Sequence, residues 1–185
     1  MITEDDEQYP NVLREIPNPP VVLFGMGEPL KSDAIHFGIV GTRRPTPYGI
    51  RAAQTITARM ADENIVIVSG LAVGIDTIAH KAAVDARAKT VAVIGSGADQ
   101  QSLYPPENRA FARRIIDSGG TILGEYPVGT PAFRENFVQR NRIISGLSRG
   151  ILVIEARERS GALITAKLAL EQNREVFALP GSVFS

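Results

Sequence analysis

The sequence has no cysteine, which excludes a disulfide framework and any thiolate metal site. It fits a reducing, cytoplasmic setting. Its two histidines, His36 and His80, are too few and too far apart to suggest an imidazole metal centre, so no metal is expected. No apolar run approaches the roughly 20 residues of a membrane-spanning helix, and no membrane role is expected. The acidic, polar start, with Glu4, Asp5, Asp6 and Glu7, lacks the basic-then-apolar order of a secretory signal. Lysine is scarce, with only Lys31, Lys81, Lys89 and Lys167. Net charge is also missing: 20 basic residues balance 20 acidic ones.

What is present is an ordinary globular composition. The 185 residues are 44% apolar and 22% charged, enough for one domain with a sizeable core. The charge is unevenly spread. Glu4, Asp5, Asp6, Glu7 and Glu15 stand against Arg14 alone in the first sixteen residues, which leaves the body modestly basic. Arginine supplies most of that excess, and it suits bidentate phosphate contacts and stacking. Arg134, Arg140, Arg142, Arg149, Arg157 and Arg159 fall in one short stretch; a solvated face is the alternative to a binding surface.

Residues 1–35 are polar and carry Pro10, Pro17, Pro19, Pro20 and Pro29, which predicts an extended lead-in with one short strand at Val21–Phe24. Residues 36–185 are expected to form a Rossmann-like domain. Its predicted strands are His36–Val40, Ile65–Ser69, Thr90–Ile94, Thr121–Gly124, Gly150–Glu155 and Glu175–Leu179. They are rich in β-branched residues with little polar alternation, as strands buried on both faces should be. Between them, helical spacing predicts Pro47–Glu63, Gly74–Ala86, Pro106–Ser118, Phe137–Leu147 and Ala162–Gln172. Repeated strand–helix units imply an α/β fold, mostly a parallel sheet with helices on both faces.

In such sheets, ligands bind beyond the carboxyl ends of the strands. The first strand-to-helix junction, Gly41-Thr42-Arg43-Arg44-Pro45-Thr46, joins a glycine turn and two arginines to a helix N-terminus, a plausible anion cradle. The second, Ser69-Gly70-Leu71-Ala72-Val73-Gly74-Ile75-Asp76, has small residues that let backbone approach a ligand, but its spacing departs from the dinucleotide fingerprint. Asp76 could cap the next helix or orient a hydroxyl, and His80 reads as a packed polar residue. Gly95-Ser96-Gly97 with Tyr104-Pro105-Pro106 is a weaker third junction. The richest segment is Phe133-Arg134-Glu135-Asn136-Phe137-Val138-Gln139-Arg140-Asn141-Arg142. Arginines interleaved with aromatics offer cations for a backbone and rings for unpaired bases; alternatively, Phe137 belongs to the core. A last loop, Ser160-Gly161-Ala162, opens another helix.

Chemistry is poorly served. Glu125 and Glu155, at strand ends, are the best acidic candidates. There is no nucleophile elbow and no phosphate loop ending in Gly-Lys-Ser/Thr. The expectation is a binding protein with no catalytic residues and no cofactor.

Together these segments resemble the DprA/Smf family, the DNA-processing protein A of bacterial natural transformation. The likeness runs from Tyr9-Pro10 through Ile39-Val40-Gly41-Thr42-Arg43, Tyr48-Gly49 and Ser69-Gly70-Leu71-Ala72-x-Gly74-Ile75-Asp76-x-x-Ala79-His80. It continues through Tyr104-Pro105, Phe137-x-x-Arg140-Asn141-Arg142-Ile143-Ile144-x-Gly146-Leu147-Ser148, Ser160-Gly161-x-Leu163-Ile164-Thr165-Ala166 and Pro180-Gly181. The resemblance implies an extended Rossmann fold that binds single-stranded DNA without strong sequence preference and helps load a RecA-type recombinase. It implies DNA contacts at Arg43, Arg134 and Phe137, with Asn141 and Arg142 in the same signature block. Gly41, Arg44, Ser69, Gly70, Arg140, Ser160 and Gly161 complete the expected DNA-binding set. The resemblance also implies a homodimer, weakened if the chain is truncated, since family members usually continue past the Pro-Gly block.

Two other readings use the same fold. A nucleotide phosphoribohydrolase resembling the cytokinin-activating family would carry a Pro-Gly-Gly-x-Gly-Thr-x-x-Glu block. The corresponding loop here, Ser160-Gly161-Ala162-Leu163-Ile164-Thr165-Ala166, does not match its glutamate. A small-nucleotide sensor acting through partners is the third.

Overall fold

The computed structural model describes residues 1–30 and 33–181. The expected domain's last residues, 182–185, lie outside the described residues. The elements run β1 (Ile2–Thr3), α1 (Asn11–Arg14), β2 (Val22–Gly27), β3 (His36–Gly41), α2 (Pro47–Asp62), β4 (Val66–Ser69), α3 (Ile75–Asp85) and β5 (Thr90–Ile94). A short 3-10 turn at Pro106–Asn108 leads into α4 (Arg109–Asp117), then β6 (Thr121–Gly124), α5 (Arg134–Leu147), β7 (Gly150–Ile154), α6 (Gly161–Glu171) and β8 (Glu175–Ala178).

The strands form one eight-stranded sheet in the order β1-β2-β6-β5-β4-β3-β7-β8. From β6 to β8 every pairing is parallel, while β2 runs antiparallel to β6 and β1 antiparallel to β2. Successive strand residues point to opposite faces, so the apolar runs divide between two cores. Val40, Val66, Val68, Val91, Val93 and Val153 join Ile143, Ile144 and Leu147 of α5 and Ala166 of α6 on one face. On the other, Ile39, Ile67, Leu152 and Ile154 meet Ala53 of α2 and Ile75, Ala79 and Ala83 of α3. Ala92, Ile94 and Ile122 meet Ala112 and Ile115 of α4 on that same side. The sheet therefore has helices on both faces, as the absence of polar alternation in its strands requires.

The chain lays down β3, β4, β5 and β6 in one direction, then returns through α5 to place β7 on the other flank of β3. The strand order thus reverses between β3 and β7. Connections leaving neighbouring strands at such a point diverge to opposite faces and open a crevice.

Residues 1–35 differ from the extended lead-in that the prolines suggest. The expected short strand is there as β2, and the described residues also hold β1 and the helical turn α1. Tyr9, Leu13, Ile16 and Leu23 are buried in the core beneath α5, and Tyr9 Oη donates to the carbonyl of Pro20 at 2.7 Å. Apolar residues spaced between prolines show no helical or strand period, yet they cover one end of the core.

Candidate nucleic-acid interface

A glycine at the end of β3 lets three elements meet at the switch point. A Cβ on Gly41 would lie 2.1 Å from the Ile154 carbonyl oxygen of β7 and 2.7 Å from Ile75 Cγ1 of α3. The following loop is held by Ile75 N–H donating to the Thr42 carbonyl at 3.1 Å. Gly74, at φ +88°, turns the chain into α3, where a side chain would strike the Arg43 backbone. Thr46 caps α2 by accepting from Gly49 N–H at 3.2 Å, and Pro47 suits the first helical turn.

An open groove of about 640 Å³ lies over this point. Its walls come from Gly41, Thr42 and Arg43 at the end of β3, Arg157 and Arg159 to Ala162 after β7, and the face of α5 carrying Arg134, Phe137, Arg140 and Asn141. Five arginines line it: Arg43, Arg134, Arg140, Arg157 and Arg159; among the described residues Asp76 is its one carboxylate. A cleft lined by one sign of charge between low-dielectric walls focuses potential on an anion. The groove is thus cationic although the whole chain is neutral. Ser160 caps α6, its Oγ accepting from Leu163 N–H at 3.4 Å, so the helix N-terminus also faces the groove.

Rings stand beside these cations. Phe137 is half-buried, and Tyr104 lies against it with centroids 5.6 Å apart and planes tilted by 51°. Tyr104 is 46% exposed. The Arg140 guanidinium sits 5.7 Å from the Phe137 centroid on its other contact. Phe137 is therefore a groove-lining ring supported by neighbours, absent from all three buried core clusters.

The expected site residues divide. Gly41, Arg43, Arg134, Phe137, Arg140, Asn141, Ser160 and Gly161 converge on the groove. Arg44 is exposed next to it, outside the lining, with its N–H donating to Thr42 Oγ1 at 3.2 Å. Ser69 is fully buried, and its hydroxyl donates to the Ile39 carbonyl at 2.6 Å. Gly70 is buried as well: its N–H donates to Asp76 Oδ2 at 3.1 Å, and its carbonyl accepts from Arg140. Both lie beneath the groove floor because the second junction packs inward. Arg142 points away. It grips Glu125 through two bonds of 2.9 and 2.6 Å and donates Nε–H to the Asn18 carbonyl at 2.9 Å. On a helix, Arg140 and Arg142 face different sides, so only one of them can look into the groove. The set expected from sequence omits Tyr104, Arg157 and Arg159; the last two stand in the loop directly across the switch point from Arg43.

The acidic candidates are occupied. Glu125 holds Arg142, and Glu155 accepts from Thr46 N–H at 2.8 Å and from the Thr46 hydroxyl. Asp76 is buried among Gly70 and Arg140; burial pushes its carboxyl pKa up, and the Arg140 charge opposes that. His80 is buried with Nδ1 2.7 Å from Thr90 Oγ1, and burial pushes its pKa down to about 3. Among the described residues, no group of three or more His, Cys, Asp and Glu side chains could hold a metal ion. No helix among them is long and apolar enough to cross a membrane.

Comparison with known proteins agrees with the geometry. Protein Smf of Synechocystis sp. is 48% identical over 185 residues, covering 98% of this chain and 46% of that protein. The X-ray structure of DNA processing protein A from Streptococcus pneumoniae matches with TM-score 0.89 at 40% identity, covering 100% of this chain and 64% of that one. A structure of DNA processing protein A from Helicobacter pylori, concerned with its single-stranded DNA binding mode, gives TM-score 0.84 at 30% identity over 94% of this chain and 79% of that one. The chain spans about half the length of the curated relatives it matches. A family model, DNA recombination-mediator protein A, matches residues 1–185. The chain belongs to the DNA recombination-mediator protein A family.

Proposed function

We propose that this chain binds single-stranded DNA in the groove at the β3–β7 switch point and performs no chemistry on it. The observation that carries this reading is the Tyr104–Phe137 ring pair set among Arg43, Arg134, Arg157 and Arg159 in one open groove. Cations take the backbone, and a ring needs an unpaired base to stack on, which a duplex keeps inside its own stack. The groove offers cations for a backbone and rings for any base, both of which are tolerant of sequence, so little sequence preference is expected. The Helicobacter relative's association with single-stranded DNA points the same way. The family description as a recombination mediator supports a role in recombination, and the wider proposal is that the chain hands the strand to a RecA-type recombinase in the cytoplasm, as a homodimer, during DNA uptake.

The test is competition on the purified chain. A labelled oligothymidylate should bind, a blunt duplex of equal length should bind more weakly, and nucleoside monophosphates should displace the strand poorly. Equal or tighter duplex binding overturns the reading. Turnover of a nucleoside monophosphate would favour the phosphoribohydrolase class, and tight binding of a mononucleotide without turnover would favour a sensor.

A further inference from the structure

Resting on the single-strand reading, we propose that Arg140 is a positioning residue: it braces Phe137 and the groove floor and is not one of the phosphate ligands.

Of the five groove arginines, Arg140 alone is buried, at 5% exposure. Two of its three guanidinium nitrogens, Nε and Nη1, are already engaged by protein. It donates to the carbonyl of Gly70 at 2.8 Å and to that of Val93, and Nε–H donates to Asn141 Oδ1 at 3.3 Å. Gly70 leaves β4 and Val93 lies near the end of β5, so a single side chain of α5 ties two strand ends together. The planar group suits this: Nη1 serves both carbonyls while Nε, fixed in the same plane, serves Asn141, a spread that the single nitrogen of an ammonium does not reproduce. The same group supports the Phe137 ring one turn earlier on the helix. Asp76 closes the arrangement from α3 by accepting from Gly70 N–H. Burial pushes the Arg140 pKa down to about 10, with Asp76 opposing the shift and Arg43 adding to it, so it stays cationic at neutral pH.

Nε and Nη1 are spent on protein acceptors, so a phosphate that drew Nη1 away would leave two carbonyls unpaired at about 1–3 kcal/mol each, and Nη2 belongs to a residue only 5% exposed. Arg43 and Arg134 are exposed and carry no such cost. The groove therefore separates its cations: exposed arginines meet the ligand, and the buried one fixes where the stacking ring stands.

The test uses the full chain and oligothymidylate. In wild type, side-chain nitrogen NMR should show the Nε signals of Arg43 and Arg134 shifting on saturation while that of Arg140 stays put. Arg140→Lys keeps the charge and loses the fork. It should weaken binding about tenfold, within the range that loss of one base–aromatic stack allows, and leave the salt slope at the wild-type value. In a Phe137→Ala background the same substitution should cost less than about twofold, because it acts through a ring no longer there. A phosphate-dependent shift at Arg140, wild-type affinity in Arg140→Lys, or a salt slope shallower by about 0.7 overturns the proposal. If Arg140→Lys fails to fold, the wild-type spectra decide alone, in either direction. If wild type binds no oligothymidylate, the single-strand reading fails by itself. The brace is then judged in the free chain, where Arg140→Lys must speed amide hydrogen exchange across residues 70–76 and 134–138, and unchanged exchange refutes it.

Discussion

Phe137 and Arg134 stand three residues apart on the first turn of α5, yet they are expected to fail differently. Removing the exposed cation with Arg134→Ala should weaken binding to every sequence and flatten the salt dependence by about 0.7 log units per log unit of salt. Phe137→Ala should instead cost roughly 1–3 kcal/mol of binding with the slope unchanged. Because the ring is half-buried, thermal midpoint and affinity must be read on the same sample; a folded Phe137→Ala with wild-type affinity removes its stacking role. Two glycines make a second contrast. Gly161 opens α6 with no atom within 4 Å of where a Cβ would stand, whereas a Cβ on Gly41 would meet the Ile154 carbonyl at 2.1 Å. Gly161→Ala should therefore keep or slightly raise stability, helped by a helix propensity gain of up to about 1 kcal/mol, while obstructing a backbone that approaches the helix N-terminus. Gly41→Ala should lower the thermal midpoint sharply, and its binding loss should track unfolding. The reverse pattern in a melting experiment would mean the two glycines exchange roles.

At the scale of elements, the strands of the sheet are legible in the sequence because each is a short β-branched run with no polar alternation. All six of those predicted from residue 36 onward stand where expected to within one residue at either end. Helix α5 is harder: helical spacing starts it at Phe137, and it begins at Arg134. The residue before it, Phe133, is extended and forms no side-chain cap bond, so the usual Ser, Thr, Asp or Asn signal is missing. The groove meets a similar limit. Glycine loops can be placed at strand ends from sequence, but burial decides their use: the Ser69-Gly70 junction packs inward, and the Gly41 and Ser160 junctions open outward. Arg142 looks equivalent to Arg140 in the linear motif and is directed to Glu125 by helical geometry alone. Tyr104, placed by sequence only in the weaker third junction, gains a role as a groove ring once the fold sets it against Phe137.

For the whole molecule, the two-sided core sets a pH limit that the neutral net charge conceals. His80 is held near pKa 3 by burial, whereas an unfolded histidine titrates near 6.5. Below that pH the unfolded chain binds a proton that the folded chain refuses, so stability should fall between about pH 6.5 and 3, by up to roughly 1.4 kcal/mol per pH unit. Asp76 acts in the opposite sense, since its raised pKa makes acid favourable to the folded state. Comparing denaturant midpoints at pH 7 and pH 5 in wild type and His80→Gln isolates the histidine: the variant should lose less stability on acidification. An equal loss in both would assign the acid sensitivity to other groups.

The same architecture gathers the exposed arginines and rings at one end of the sheet, where the strand order reverses, and the proposed binding is placed there. Photocrosslinking with a bromodeoxyuridine oligonucleotide, mapped by mass spectrometry of the cleaved chain, tests that placement most directly. Adducts should fall on Tyr104, on residues 132–141 and on the loops at 41–44 and 157–162. Adducts confined to the opposite end of the sheet, around His36, Arg149 and Arg174, would contradict the account.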